Sequence, residues 1–181
     1  MKLFNEQSMF VVNSYFTHVV EWKERREEIL SLVDFNVEGH DKISDHLTYS
    51  DYNLYNQEDS PYVKSFLEML EPYLKEFREN VFQYNQVTSV WCQKYLSGDY
   101  HGPHDHGSLG YSAVFYAKMD IGVHSGTQFF CPFPNDHGQK ENIIASVQEG
   151  DLIIFPSHVL HMGTVHYDPN KERVIFSFNF L

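Results

Sequence analysis

The chain has 181 residues and a formal net charge of -12. That charge argues against general affinity for nucleic-acid phosphates or an anionic membrane, both of which favour an excess of Lys and Arg; it leaves room for a local basic pocket that takes a small acid. At 42% hydrophobic and 16% aromatic residues there is ample material for one domain with a sizeable core, and 15 Phe with 12 Tyr favour a β-rich fold.

The N-terminus, Met-Lys-Leu-Phe-Asn-Glu-Gln, lacks the apolar run of a signal peptide, and no segment is apolar enough to span a bilayer. The two cysteines, Cys92 and Cys131, form no C-x-x-C motif, so no disulfide framework is expected. The expectation is a cytoplasmic, soluble protein. Its oligomeric state is left open, a homodimer included.

Two textures follow along the chain. Up to about Asn85 it reads as mostly helical. Val19, Val20, Ile29, Leu30 and Val33, with charges between them, suit an amphipathic helix. Ser60-Pro61 reads as a helix start, Ser as cap and Pro in the first turn. Phe66, Leu67, Leu70, Leu74 and Phe77 then recur at helical spacing, with Pro72 expected to kink or split the helix. The stretch from Phe35 to Gln57 shows no period and reads as a loop over a cleft, where specificity would be set.

From Gln86 the period changes to that of strands. Val87–Tyr95, Tyr111–Lys118, Thr127–Phe130, Ile143–Val147, Leu152–Phe155, Val159–Val165 and Val174–Phe180 are separated by Gly, Pro, Asp and Asn turns. About seven short strands at this spacing predict a mainly β jelly roll with supporting N-terminal helices. The expected organisation is one domain over 1–181, with 1–85 as helical support and lid loops and 86–181 as the core.

The chemistry concentrates in two places. One is Tyr-Leu-Ser-Gly-Asp-Tyr-His-Gly-Pro-His-Asp-His-Gly, 95–107; the other is Gly-Asp-Leu-Ile-Ile-Phe-Pro-Ser-His-Val-Leu-His, 150–161, followed by Arg173 near the last strand. Residues two apart on a strand face one side, so His104 and His106 can point together, and His161 can meet them from an opposing strand. Imidazole suits iron, and three ligands on one face leave positions for oxygen and a chelating acid. Strict alternation gives a three-His site. A bulge could instead turn Asp105 inward as the third ligand in place of His106. His101 is expected near the cleft mouth and His158 facing away or on the rim.

These residues resemble the double-stranded β-helix of the iron(II)- and 2-oxoglutarate-dependent oxygenases, in particular prolyl-4-hydroxylase-like members and their bacterial and phage relatives. Tyr95, Gly98, His104 and Phe115-Tyr116 fall in that register, as do Gly150-Asp151, His161 and Arg173. The resemblance covers 87–181. His106 stands where the common pattern has its carboxylate. The resemblance implies iron(II), 2-oxoglutarate and O2 as metal, co-substrate and oxidant. It implies hydroxylation of an unactivated C–H bond of a peptide or small molecule, with release of succinate and CO2.

It also implies that Arg173 meets the far carboxylate of 2-oxoglutarate, for which a guanidinium fork is suited. Tyr116 and Tyr95 fall near tyrosines that hydrogen-bond this co-substrate in such families, and Ser177 is a candidate helper. The plainer alternatives are a surface Arg173 paired with Glu172 or Glu149 and simple barrel packing for the tyrosines. Two rival functions remain at this point: a cupin-type three-His metal protein or dioxygenase that does not use 2-oxoglutarate, and a binding jelly roll without metal.

Overall fold

The computed structural model describes residues 11–36, 46–52, 60–83, 86–135 and 137–181. Among the described residues ten strands and two helices follow one another: β1 (Tyr15–His18), α1 (Trp22–Ser31), β2 (Tyr49–Ser50), α2 (Val63–Asn80), β3 (Val87–Tyr95), β4 (His101–His104), β5 (Tyr111–Lys118), β6 (Gln128–Pro134), β7 (Lys140–Ile144), β8 (Asp151–Pro156), β9 (His161–Gly163) and β10 (Arg173–Phe180). They form a six-stranded sheet in the order β1-β8-β5-β10-β3-β2 and a four-stranded sheet in the order β4-β9-β6-β7. Every pairing between these strands is antiparallel. From β3 to β10 the chain repeatedly changes sheets, which is the double-stranded β-helix expected from the sequence.

Period-two alternation along the large sheet explains its two faces. Val174, Phe176, Phe178 and Phe180 of β10 join Val90, Cys92, Ala113, Phe115 and Ala117 in a core that α1 and α2 cover. Phe176, fully buried, lies against Tyr62, Phe66 and Trp22, with ring centres 4.9, 4.8 and 6.2 Å away. The opposite face, with Tyr95, Val114, Tyr116, Ile153, Phe155 and Ile175, fills the space between the sheets. Both faces are therefore covered, and the strands read as continuous apolar runs. On β10 the odd positions Arg173, Ile175, Ser177 and Asn179 share the inter-sheet side, and three of them are polar.

The N-terminal half departs from its expected reading. Val19 and Val20 precede α1 instead of lying in it, and Val20 is exposed. Ser60 is not a side-chain cap: α2 starts at Val63, and Ser60 contributes only its carbonyl, accepting the Val63 N–H. Pro72 lies inside an unbroken α2, so the helix is not split. The pyrrolidine forfeits one helical donor, but burial of Phe66, Met69, Leu70, Leu74 and Phe77 along one face outweighs that loss.

Two strands were also missed there. β1 extends the large sheet beside β8, and β2 pairs with β3. Of the expected lid loop from Phe35 to Gln57, 37–45 and 53–57 lie outside the described residues; its described stretch 46–52 is clasped to the sheet. Asp51 accepts the Cys92 N–H at 2.6 Å and the Tyr62 hydroxyl at 2.9 Å, and Thr48 N–H donates to Asp99 at 2.7 Å. Among the other strands, β3 and β5 match their expected limits. β6 runs on to Pro134, β7 begins and ends three residues early, and β9 is only three residues long.

Candidate metal centre

His104 closes β4, and His161 opens β9 as its direct register partner. His106 reaches the same point by a different route from the one expected. β4 ends at His104, so His106 does not share a strand face with it. Instead the His106 backbone N–H donates to the Ser157 carbonyl at 2.9 Å, which ties it to the turn after β8. Gly107 then takes φ +96°, a left-handed conformation natural to glycine, while its N–H donates to Asp105 at 3.0 Å. That bond turns the exposed Asp105 carboxylate into a local turn brace.

One ligand atom from each of His104, His106 and His161 lies within 4.8 Å of the others, and the group includes no carboxylate. The ring centres are 4.3 Å apart for His104 and His161, 5.0 Å for His106 and His161, and 5.1 Å for His104 and His106. All three rings are oriented from behind by Nδ1. His104 Nδ1 donates to the Gly102 carbonyl at 2.7 Å, His161 Nδ1 to the Val159 carbonyl at 2.9 Å, and His106 Nδ1 to Asn179 Oδ1 at 2.7 Å. A carbonyl oxygen only accepts, so each Nδ1 carries a proton and each Nε2 is left to meet a metal.

Burial pushes the His161 imidazole down to about 3, and nearby His104 adds to the shift. Burial also lowers His106 against the opposing bond from Asn179. Phe155 stands edge-on to His161 at 4.7 Å, and Trp91 stacks on His106 at 5.5 Å, so apolar rings wall the centre. Neutral imidazole is the form that binds metal, and these surroundings favour it.

The other histidines separate cleanly. His101 stacks on His104 with ring centres 3.8 Å apart and is bonded to Gln93, so it lies inside the site and not merely at its mouth. His158 is exposed. Beside His101, His104 and His106 opens a hollow of about 370 Å³, lined also by Ser50, Tyr52, Trp91, Gln93, Asp105 and Asn179, while His161 faces the recess behind it. A smaller recess continues between the sheets past Tyr95, Thr127, Gly163, Ile175 and Ser177. Gly163 is required there by space: a Cβ on it would stand 2.7 Å from the Tyr95 hydroxyl.

Arg173 is 2% exposed and is not the surface residue of the plainer alternative. Glu172 pairs with Lys118 and Glu149 with Arg26. Arg173 Nη1 donates to the Ser125 carbonyl at 2.7 Å and the Thr164 hydroxyl at 2.9 Å, and Nη2 to the Thr164 carbonyl at 2.7 Å. Its Nε is buried without a partner, and among the described residues no carboxylate pairs with it. A buried cation with neutral partners only, and one donor unused, fits an anionic guest.

The candidate helpers are placed unevenly. Tyr95 lies under the Arg173 guanidinium at 4.2 Å and donates to Gln93. The Tyr116 hydroxyl accepts the Thr127 N–H at 3.0 Å and shares a bond with the Thr127 hydroxyl at 2.9 Å. Burial raises the Tyr116 phenol, keeping it a neutral donor. Ser177 lines the recess but makes no hydrogen bond to Arg173; Thr164 and Ser125 hold the guanidinium instead. Asn179 was missed altogether. Its signal was the alternation on β10, where Ser177 and Asn179 alternate with Phe176, Phe178 and Phe180 and so fall on the face that carries Arg173.

A family model described as "Putative 2OG-Fe(II) oxygenase" matches residues 89–179. A Pseudomonas putida prolyl-4-hydroxylase superposes with a TM-score of 0.60 at 15% identity, covering 93% of this chain and 92% of that one. A Trichoplax adhaerens prolyl hydroxylase, solved with a hypoxia inducible factor peptide fragment, gives 0.64 at 10% identity over 93% and 83%. A viral collagen prolyl hydroxylase from Paramecium Bursaria Chlorella virus-1, solved with 2OG, gives 0.56 at 13% over 92% and 94%. A search of curated proteins by sequence gave no match. At these identities the structural likeness speaks for the fold.

Proposed function

The chain belongs to the 2OG-Fe(II) oxygenases, an enzyme family that uses iron(II), 2-oxoglutarate and O2, and from that premise we propose that His104, His106 and His161 hold the iron and that Arg173 anchors the co-substrate. Family membership sets aside both a cupin-type protein that does not use 2-oxoglutarate and a metal-free binding roll. The observation that carries the ligand assignment is the set of three Nδ1–H bonds, which aim three Nε2 atoms at one point.

When bound, iron, 2-oxoglutarate and O2 would supply the oxidising chemistry, one oxygen atom going to the keto acid as it loses CO2 to become succinate and the other to a substrate C–H bond as its hydroxyl. The protein's own part is orientation and exclusion of water. His104 and His161 are locked by register across β4 and β9. His106 is set by Asn179 and by the turn after β8. Asp105, exposed and bonded to Gly107, supports the three-His set over the two-His, one-carboxylate alternative.

Arg173 offers the far carboxylate a buried cation, with Tyr116 and Tyr95 as neighbouring phenols and Ser177 at the recess wall. The substrate, a peptide segment or a small molecule, enters by the hollow that Tyr52 and Trp91 flank. Free Cys92 and Cys131 suit a reducing compartment, consistent with the cytoplasm. No helix among the described residues is long and apolar enough to cross a membrane.

The direct test is anaerobic titration of 2-oxoglutarate into the iron-loaded protein, following the metal-to-ligand absorption band. The expected result is a saturating band that His161→Ala abolishes. Absence of any band at about millimolar 2-oxoglutarate, roughly the weak end of biological affinity, would overturn the assignment.

A further inference from the structure

The three-imidazole group, in the neutral form that binds metal, brings no charge to an ion. His104, His106 and His161 offer one nitrogen each, and among the described residues no carboxylate belongs to the group. The oxygens behind the rings are neutral too: the Gly102 and Val159 carbonyls and the Asn179 amide. Of the described residues that line the hollow and the recess, Asp105 alone carries a carboxylate, and it is exposed and bonded to the Gly107 N–H.

A buried network holds His106 as the third nitrogen donor. Asn179 Oδ1 accepts His106 Nδ1–H at 2.7 Å and the Ser112 hydroxyl at 2.8 Å, while its Nδ2 donates to Ser89 Oγ at 3.0 Å. Ser112 and Ser157 share a bond between their hydroxyls at 3.0 Å, and the Ser157 carbonyl takes the His106 backbone N–H. All three serines are buried. Ring and backbone of His106 are thus tied into one set of bonds. Ions differ in the donors they favour: carboxylate and other oxygen donors suit manganese(II) and magnesium(II), whereas imidazole suits iron, nickel, copper and zinc. A ligand position that offers nitrogen in place of oxygen therefore weakens the first group relative to the second.

We propose that His106 determines the metal choice of this centre: three imidazoles without a carboxylate favour nitrogen-preferring divalent ions, iron(II) and nickel(II) among them, and discriminate against manganese(II). The inference rests on the assignment of the three imidazoles as ligands and adds what the third one selects. An acidic residue at position 106 restores one oxygen donor. Serine hydroxyls both donate and accept, so the Asn179 amide can turn over and give Nδ2 to such a carboxylate.

The experiment measures nickel(II) and manganese(II) affinity of the metal-free protein, without 2-oxoglutarate, by calorimetry and by competition with a chelator. The wild type is expected to prefer nickel(II) by more than about a hundredfold. His106→Asp, and His106→Glu with its longer reach, should narrow that ratio by at least about tenfold. Asp105→Ala should leave it unchanged. A smaller wild-type preference overturns the inference, as does an acidic variant that holds both ions at the wild-type ratio or an Asp105→Ala variant that shifts it. If neither acidic variant binds metal, the wild-type ratio and Asp105→Ala decide. Nickel(II) binding that survives His161→Ala sinks the ligand assignment and this inference with it. Nickel(II) binding lost in His161→Ala, with a ratio that the acidic variants leave unmoved, sinks this inference alone.

Discussion

Arg173 and Tyr95 are register partners on β10 and β3, and the guanidinium lies 4.2 Å from the centre of the Tyr95 ring. The flat cation is thus held in the barrel by an aromatic face, two carbonyl oxygens and the Thr164 hydroxyl, and among the described residues by no carboxylate. This arrangement desolvates the charge while leaving its strongest interaction to be made with a guest.

Arg173→Met is expected to raise the 2-oxoglutarate requirement steeply while metal binding survives. Leaving a carboxylate buried without its cation costs on the order of 3–5 kcal/mol, or roughly two to three decades in affinity. Anaerobic titration of the absorption band measures it. A change of less than about threefold, worth under roughly 1 kcal/mol, would assign the anchor elsewhere.

The ligand set is separable by substitution. Asp105→Ala should retain iron, because its carboxylate braces Gly107 and lies outside the imidazole group. His106→Ala and His161→Ala should purify folded with little iron. Elemental analysis of the three variants decides, and the reverse pattern for Asp105 and His106 would restore a two-His, one-carboxylate centre.

Asn179→Leu should weaken metal binding by about 10- to 100-fold, the usual effect of losing a bond behind a metal-bound imidazole. The same change removes the bonds of Asn179 to Ser112, which keeps Ser157, and to Ser89. Metal affinity by competition with a chelator is therefore the proper readout, with thermal unfolding of the metal-free protein as its control.

The metal-free protein should lose stability in acid. In the folded state His161 and His101 are pushed down to about 3 and His124 to about 4, by burial first and by neighbouring imidazoles next. An unfolded histidine titrates near 6.5, so below that pH the unfolded chain binds more protons and gains ground. Stability contributed by these rings is fully present above about pH 6.5 and declines as pH falls towards 3 to 4. Asp51, raised by burial to about 6, works in the opposite sense, one carboxyl against three imidazoles. Melting temperature against pH checks the direction, and saturating metal should flatten the profile by occupying His161.

Phe176→Ala should cost about 3–5 kcal/mol, the range for truncating a fully buried aromatic. Denaturant unfolding measures it. The residue lies on the helix side of β10, so 2-oxoglutarate affinity of the remaining folded protein should be little changed.

The sequence displays the large sheet well because its central strands carry their own signal. β3 and β5 are long, apolar on both faces and bounded by turn residues, and their limits were readable to the residue. β1, β2 and β4 span four, two and four residues. Strands that short exist through pairing with distant partners, such as Tyr15 with Ile154, and leave no local period. The site shows the same division. His104, His161 and Arg173 could be found from spacing and context, whereas the placement of His106 depends on a hydrogen bond to Ser157, fifty-odd positions away. The expected geometry, two histidines on one strand face, reached the right neighbourhood for the wrong reason. Asn179 and Thr164 act through partners, His106 and Arg173, that only folding brings near.

The backs of the three imidazoles differ in heritability. His104 and His161 each lean on a main-chain carbonyl two positions earlier in their own segment. No side-chain replacement can delete those oxygens, so the aim of two rings is written into the peptide backbone. His106 leans on an amide side chain from the far end of the chain. A single codon change at Asn179 can weaken, strengthen or charge that support. Evolution, or an engineer, therefore has one adjustable screw on this centre.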